Sequence, residues 1–588
     1  MKKTRRRFFS DIGYAGVGLA ATSLPIRAIG QELHWDLSTD VLIAGAGAAG
    51  LPAAIEAREL GDDVLLVDAN YDVGGHAIVN AGLVALGGGH SLQRKYSVVD
   101  SPDLLYADLT DWSVVQPNGF PEYRYNDRDL VRVYADHAAS TVEWLIAHGV
   151  VFVDRAPEAF GISTGNSAPR GLRAAAKNWA LIQTGKPVTP EAQSTFASGV
   201  GLIRPLEASA RKLGVNILLE HRLKSLIREH PHSGRVLGAI LETSSGEKRI
   251  QARKGVIIAT GGSSGNINFR RIFDPRLTEE YDAVGGEPYS VQDASGEIAA
   301  LQIGASLWGA YNQTGEFGLN VTKPGQIGTQ YGYATLIWEP TSPIFSKARA
   351  IGLHVKNWQN LILVNHAGKR FYDETAGRFI GNYYNAIPDY VSYSNRNLSQ
   401  ATLNEKGLNF FSAALSGSDK EGNGGGPIWA IFDSASVERE RWKTEPPNVD
   451  TAAGYFFSAN SIAELAEKVV MKHQPKGLPA KTLVETVERF NSFVDAGKDA
   501  DFDRPRPPFK ILKPPFYAAW ATPVVHDTRV GLRINAHAQV LDLSGEVIPG
   551  LYSAGESAGG ISQHGVGRCL VFGRIAAAHA AAGKAPHS

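Results

Sequence analysis

A single cysteine, Cys569, occurs among 588 residues. One thiol cannot close an intrachain disulfide, complete a Cys-rich zinc site or provide a CxxCH haem attachment. An excess of one charge is also missing, because 59 Lys plus Arg balance 59 Asp plus Glu. Such a balance gives no support to nucleic-acid binding or to a polybasic membrane surface. Beyond the N-terminal segment no run is long and apolar enough for a membrane helix, and neither a repeat nor a long low-complexity tract is apparent. The length suggests two to four globular units, and any cofactor must be held by something other than a set of thiolates.

What is present is led by Asp40–Gly50, DVLIAGAGAAG, an apolar run that breaks at Gly45, Gly47 and Gly50 and flows into the helix-like LPAAIEARELG. This reads as strand, tight turn, helix. Gly45 makes the turn, Gly47 lets the backbone approach a pyrophosphate, and Gly50 lets the helix pack close to the strand. The helix start offers free N–H groups and about half a positive charge to the phosphates. A second apolar run ends at Asp68, roughly 20 residues beyond the glycines, where a carboxylate can hold a ribose hydroxyl. Strand, glycine triplet, helix, strand and acid in that order predict a dinucleotide site.

Residues 1–30 read as a processing segment. Arg5, Arg6 and Arg7 precede a short apolar stretch from Ile12 to Leu24, a pattern that resembles a twin-arginine export signal, with an ordinary secretory signal or an uncleaved anchor as the alternative. The mature chain is then expected to be soluble and periplasmic, exported already folded. Further along, Tyr71–His90 is rich in glycine and small residues, and Asp129–Val150 has helical periodicity with His137 and His148 as solvated or capping residues. Residues 235–253 read as a hairpin. The strand from Lys254 runs into Ala259-Thr260-Gly261-Gly262, a second close backbone approach. Residues 338–504 change character, with more aromatics and a Gly-rich break at 421–426. They read as an inserted domain. The C-terminal return brings a strand to Gly550–Glu556 and then a helix beginning near Gly567, whose N-terminus suits an anionic ring.

Together these pieces resemble the flavoprotein family of fumarate reductases and succinate dehydrogenase flavoprotein subunits, with ketosteroid dehydrogenases more distant. The resemblance rests on Gly45–Gly50, Gly74-Gly75, Ala259–Gly262, Leu363–Glu374, Phe493–Arg504, Pro515–Ala518, Gly550–Glu556 and Phe572–Ala576 in order. It implies an α/β fold in which a Rossmann-like FAD-binding domain (36–337 and 508–582) is interrupted by an α+β capping domain (338–507). It implies FAD, contacted through Gly45, Gly47, Ala49, Gly50 and Asp68, then Gly74, Gly75, His76, Ala77 and Gly82. Thr260, Gly261 and Gly262 follow, and finally Gly555, Glu556, Cys569 and Leu570. His76 lies where succinate dehydrogenases carry the histidine joined to flavin, so it either links FAD covalently or hydrogen-bonds and packs beside it.

For chemistry, the resemblance implies a hydride exchanged at flavin N5 and a proton carried by an arginine, here Arg378. The alternative role for Arg378 is substrate anchoring or the surface. Arg568 either clamps a substrate carboxylate or caps the neighbouring helix. Two family histidines that hold carboxylates are replaced by Glu339 and by Asp527, although His526 is adjacent to the latter and a one-residue shift would restore that histidine. Carboxylates there would repel a C4 dicarboxylate. The expected reaction is on a CH–CH or C=C bond of a small organic substrate that is not fumarate. Oxidation of a C–OH or C–N bond with Glu339 or Asp527 as base, and a non-catalytic electron carrier, are the alternatives. Electrons must be exchanged with a separate partner such as a c-type cytochrome or a quinone, or with oxygen. Tyr517 matches a ketone-binding position of ketosteroid dehydrogenases, with core packing the preferred reading.

Overall fold

A computed structural model describes residues 34–583 apart from 111–125, 160–164, 166, 177–181, 184–185, 188–196, 274, 284–288, 310–318, 323, 331–336, 339–349, 376–413, 415–425, 505, 529, 562 and 564. The expected processing segment, Glu339 and Arg378 lie outside the described residues.

The chain enters with β1 (Leu37–Ala44), α1 (Gly50–Glu59) and β2 (Val64–Val67). Val41–Ala44 and all of β2 are buried, as expected of parallel strands covered on both faces. Each fully buried Val, Leu or Ile contributes about 1.5–3 kcal/mol. A short turn of helix, α2 (Gly75–Ile78), follows, and then the long helix α3 (Arg128–Ala147), whose N-cap Asp127 accepts from the Leu130 N–H. Helix α4 (Val200–Lys212) leads to β3 (Asn216–Leu218), β4 (Arg222–His230), β5 (Ser233–Thr243) and β6 (Gly246–Ile258). The second strand of the expected hairpin and the strand that follows it are one element, β6. The first part of β6 pairs antiparallel with β5, and the strand continues in parallel register with β1 from Leu37 opposite Ile250 to Ala44 opposite Ile258.

A second body begins beyond β7 (Leu319–Thr322). It contains β8 (Gln326–Ile327), β9 (Leu353–His354), β10 (Ile362–Val364), β11 (Trp429–Asp433), β12 (Phe456–Ala459), α5 (Ala480–Ala496) and β13 (Phe516–Trp520). Its sheet is antiparallel in the order β10-β11-β13-β12. Residues outside the expected bounds of 338 and 507 share this body. Ile327 packs in a core with Leu363, Phe432 and Tyr517, and β13, beyond 508, supplies a strand to this sheet. Cross-strand pairing, invisible in a linear reading, decides both. Tyr517 stacks on Phe432 with ring centroids 5.3 Å apart, in accord with core packing.

The chain returns through β14 (Val524–Thr528), β15 (Gln539–Leu541), β16 (Val547–Ser553) and α6 (Gly567–Ala582). Strand β16 joins β6 in parallel, so the main sheet runs β15-β16-β6-β1-β2-β3 with β5 and β4 attached. The first strand lies between β6 and β2, and strand order reverses there. Such a switch point opens a crevice at the carboxyl ends of the strands, where ligands bind in open α/β sheets.

Candidate functional site

A cavity of about 280 Å³ occupies that crevice. Gly45 ends β1 with φ +108°, and a Cβ on it would lie 2.1 Å from the Ala259 carbonyl oxygen. A Cβ on Gly50 would lie 1.7 Å from the Gly45 oxygen. Only glycine lets the turn close against the Ala259 strand end and under the helix start. Gly47 differs: among the described residues the sole neighbour of an added Cβ within 4 Å is the Gly74 oxygen, at 3.7 Å. It is a bare backbone segment beside an open space, as a pyrophosphate requires.

Asp68 follows β2 and lines the cavity. Its Oδ2 accepts from the Ala46 N–H at 2.6 Å and its Oδ1 from the Asn70 N–H at 2.8 Å. Burial pushes its carboxyl up to about 6, against the lowering by these two donors, and Asp72 adds to the rise. Each oxygen keeps acceptor capacity, so the carboxylate can tie the glycine turn and still meet a hydroxyl.

Ala49, Gly74, Gly75, His76, Ala77, Thr260, Gly261, Gly555, Glu556 and Cys569 also line the cavity. Four expected contacts do not. Gly50 is packed beneath Gly45. Gly82 sits against Ser198, Gly262 against Thr528, and Leu570 is wholly buried in the main core. These residues shape the wall from behind, because close packing uses small or apolar residues as readily as ligand contact does. The first turn of α6 reaches the cavity through Arg568 and Cys569, which brings the positive end of the helix dipole to it.

Two groups on the wall have partners that linear spacing did not reveal. Gln292 is buried, has φ 42°, and donates from Nε2 to Glu556 Oε2 at 2.7 Å. The same Nε2 lies 3.4 Å from His76 Nδ1, which is 3.6 Å from Glu556 Oε2. His76, Gln292 and Glu556 thus form one polar cluster from three distant stretches. Asp293 also lines the cavity and accepts from Arg222 Nε at 2.8 Å. The segment around Gln292 carries no glycine fingerprint. Its only sequence signal is polar residues placed just before the short helix Ser295–Leu301.

Arg568 donates to the carbonyls of Thr528, Ile561 and Ala558 at 3.0, 3.2 and 3.4 Å. It therefore ties the α6 start to β14 and to the preceding loop, where Ala558 closes the short helix Gly555–Ser557. His526 and Asp527 lie on β14, where Asp527 pairs in register with Asn320 of β7.

The family described as FAD binding domain matches residues 40–568. The chain belongs to this family. It is an FAD-dependent oxidoreductase, and the bare Gly47 backbone, Asp68 and the α6 terminus fit that cofactor. Along its sequence the flavoprotein is 28% identical to the acrylate reductase flavoprotein subunit of Shewanella woodyi, covering 97% of each chain. It is 27% identical to a fumarate reductase (cytochrome) of Shewanella frigidimarina, covering 92% of this chain and 77% of the relative. Its fold is similar to the open conformation of a flavocytochrome c3 fumarate reductase, with TM-score 0.61 and 23% identity over 93% of this chain and 79% of that one.

Proposed function

We propose that this flavoprotein is an exported reductase that saturates the C=C bond of a small organic substrate other than a C4 dicarboxylate. The observation that carries the reading is the FAD cavity at the sheet's switch point, whose wall residue Arg568 bonds the Thr528 carbonyl of β14, the strand next along the chain to β13 of the second body. The full-length similarity to an acrylate reductase subunit supports the reaction class. FAD held in this cavity would, once reduced by two electrons, supply the hydride for one carbon of the double bond. The chain supplies the rest.

Arg378 delivers a proton to the other carbon. Arginine is ordinarily a poor acid, but the carbon becomes strongly basic as hydride arrives. Support comes from its spacing after Gly368-Lys369-Arg370-Phe371 and from the buried anchoring of Arg370 and Glu374 immediately before it. Arg568, fixed on three carbonyls, orients the α6 terminus at the cavity. Glu339 and Asp527, in place of two carboxylate-binding histidines, disfavour fumarate and set the specificity. Asp68 holds a ribose hydroxyl. Arg5 and Arg6 direct export of the folded protein to the periplasm, and among the described residues no helix is long and apolar enough to cross a membrane. Electrons then arrive from a separate carrier, a c-type cytochrome or a quinone.

The test is anaerobic reoxidation of the dithionite-reduced holoprotein. Acrylate is expected to reoxidise the flavin and fumarate to do so far more slowly. Arg378→Ala should retain FAD and lose turnover by about 10²–10⁴-fold, the usual contribution of a positioned acid. A fully active Arg378→Ala protein would refute the assignment.

A further inference from the structure

Outside the cavity, Asp282 is an acid for which the chemistry above has no use. Its backbone oxygen accepts from the Val525 N–H at 2.8 Å, and Ala283 bridges the same residue of β14. Its side-chain Oδ1 accepts from Gln330 Nε2 at 3.2 Å, while Oδ2 is buried without a hydrogen-bond partner among the described residues. Gln330 belongs to the smaller body, since Gly328 donates to the Trp520 oxygen at 3.0 Å and Thr329 Oγ1 to the Ala350 oxygen at 3.2 Å. One residue thus joins that body to β14. Three residues further along β14, roughly 10 Å at strand rise, Thr528 accepts from the Ser263 N–H and from Arg568 on the cavity wall.

The charged groups facing Asp282 are Arg270, Lys472 and Glu280. None of the cations bonds it. Arg270 donates to the carbonyls of Leu277, Ser264 and Thr278, and Lys472 pairs with Glu279 at 2.8 Å, with His473 next to it. We propose that Asp282 is a positioning residue whose protonated carboxyl latches the smaller body, through Gln330, onto the strand carrying His526 and Asp527. The inference rests on the function proposed above only in taking the two bodies to meet around the substrate.

The ionised form would bury a charged oxygen with no donor, which is costly. Burial raises the Asp282 carboxyl to about 7, despite the lowering by Gln330, Arg270 and Lys472, and Glu280 raises it further. In an opened seam the group returns toward its ordinary value of 3.8. The latched form therefore binds the proton more tightly. Its advantage is complete below the ordinary value and is lost as pH rises through about 7. One such proton changes the latching equilibrium about tenfold between pH 6 and pH 8.

Hydrogen exchange on the FAD-loaded protein, corrected for intrinsic exchange, reads this at the Val525 amide. Wild-type protection should fall about tenfold from pH 6 to pH 8, and Asp282→Asn should abolish the fall. Gln330→Leu should lower protection already at pH 6. Equal wild-type protection at both pH values, or the same fall in Asp282→Asn, would overturn the latch. With acrylate as probe, KM should rise over this range in wild type and stay level in Asp282→Asn. If acrylate fails to reoxidise the flavin while the exchange pattern holds, the proposed substrate chemistry fails and the latch stands.

Discussion

Glu374 offers the most demanding test of the smaller body. Its carboxylate is wholly buried and accepts from Arg370 Nη2 at 2.8 Å and Arg504 Nη1 at 2.8 Å, while Arg370 also bonds Asp499 at 2.7 Å. Two cations and two anions therefore share a dry site. Burial acts to raise the Glu374 carboxyl, but Arg370 and Arg504 outweigh it and hold the group at about 2, against an ordinary 4.5. At about 1.4 kcal/mol for each tenfold change in proton affinity, that difference contributes roughly 3 kcal/mol. The contribution is present above pH 4.5 and is lost as pH falls toward 2. Glu374→Gln keeps the shape and leaves one uncompensated buried positive charge, a defect that typically costs about 3–5 kcal/mol. Urea unfolding at pH 7 should be followed by tryptophan fluorescence, since Trp429 and Trp520 lie in this body with ring centroids 5.4 Å apart. The phase they report should lose about 3 kcal/mol in the variant. Between pH 5 and pH 3 the wild type should weaken and the variant should weaken much less. A variant within about 0.5 kcal/mol of wild type at pH 7, or one with the same acid sensitivity, would refute the reasoning.

Gly47→Val should fold, because among the described residues the only atom within 4 Å of an added Cβ is the Gly74 oxygen at 3.7 Å. Its methyl groups would occupy the space left for the pyrophosphate, so the purified variant should be colourless and should fail to take up added FAD. Normal yellow protein would contradict the cradle assignment. Glu297 is fully buried, neither carboxyl oxygen meets another residue's donor among the described residues, and burial, with Asp293 and Glu556 nearby, outweighs the lowering by its own backbone N–H and holds its carboxyl well above the ordinary range. Glu297→Met should stabilise the protein by about 1–3 kcal/mol at pH 8. The gain should shrink as pH falls toward the ordinary carboxylate range, because the native state holds a proton that the unfolded chain releases. Thermal unfolding at pH 5 and pH 8 measures both, and a loss of stability at pH 8 would reject the unpaired-acid account.

The dinucleotide half of the site was legible because its physics is local. A strand, a turn that only glycine can make, a helix and an acid at the next strand end must follow one another in sequence. Gly45, Gly47 and Asp68 accordingly reach the cavity. Gly262 and Leu570 did not, since a residue that lets backbones approach looks the same in sequence whether a ligand or Thr528 stands opposite. Gln292 escaped notice because its value lies in reaching His76 and Glu556, two residues far away along the chain.

The sequence by itself determined the Rossmann-like start, the interruption of the flavin-binding part and the family, all consequences of short-range order and motif succession. The tertiary structure decided which distant groups meet. It brought Arg370 and Glu374 of one motif to Asp499 and Arg504 of another, and it gave β13 to the smaller sheet. It also set Asp282 between Gln330 and β14. Buried charges and strand edges must find partners wherever the chain can supply them, and linear spacing carries no record of where that is.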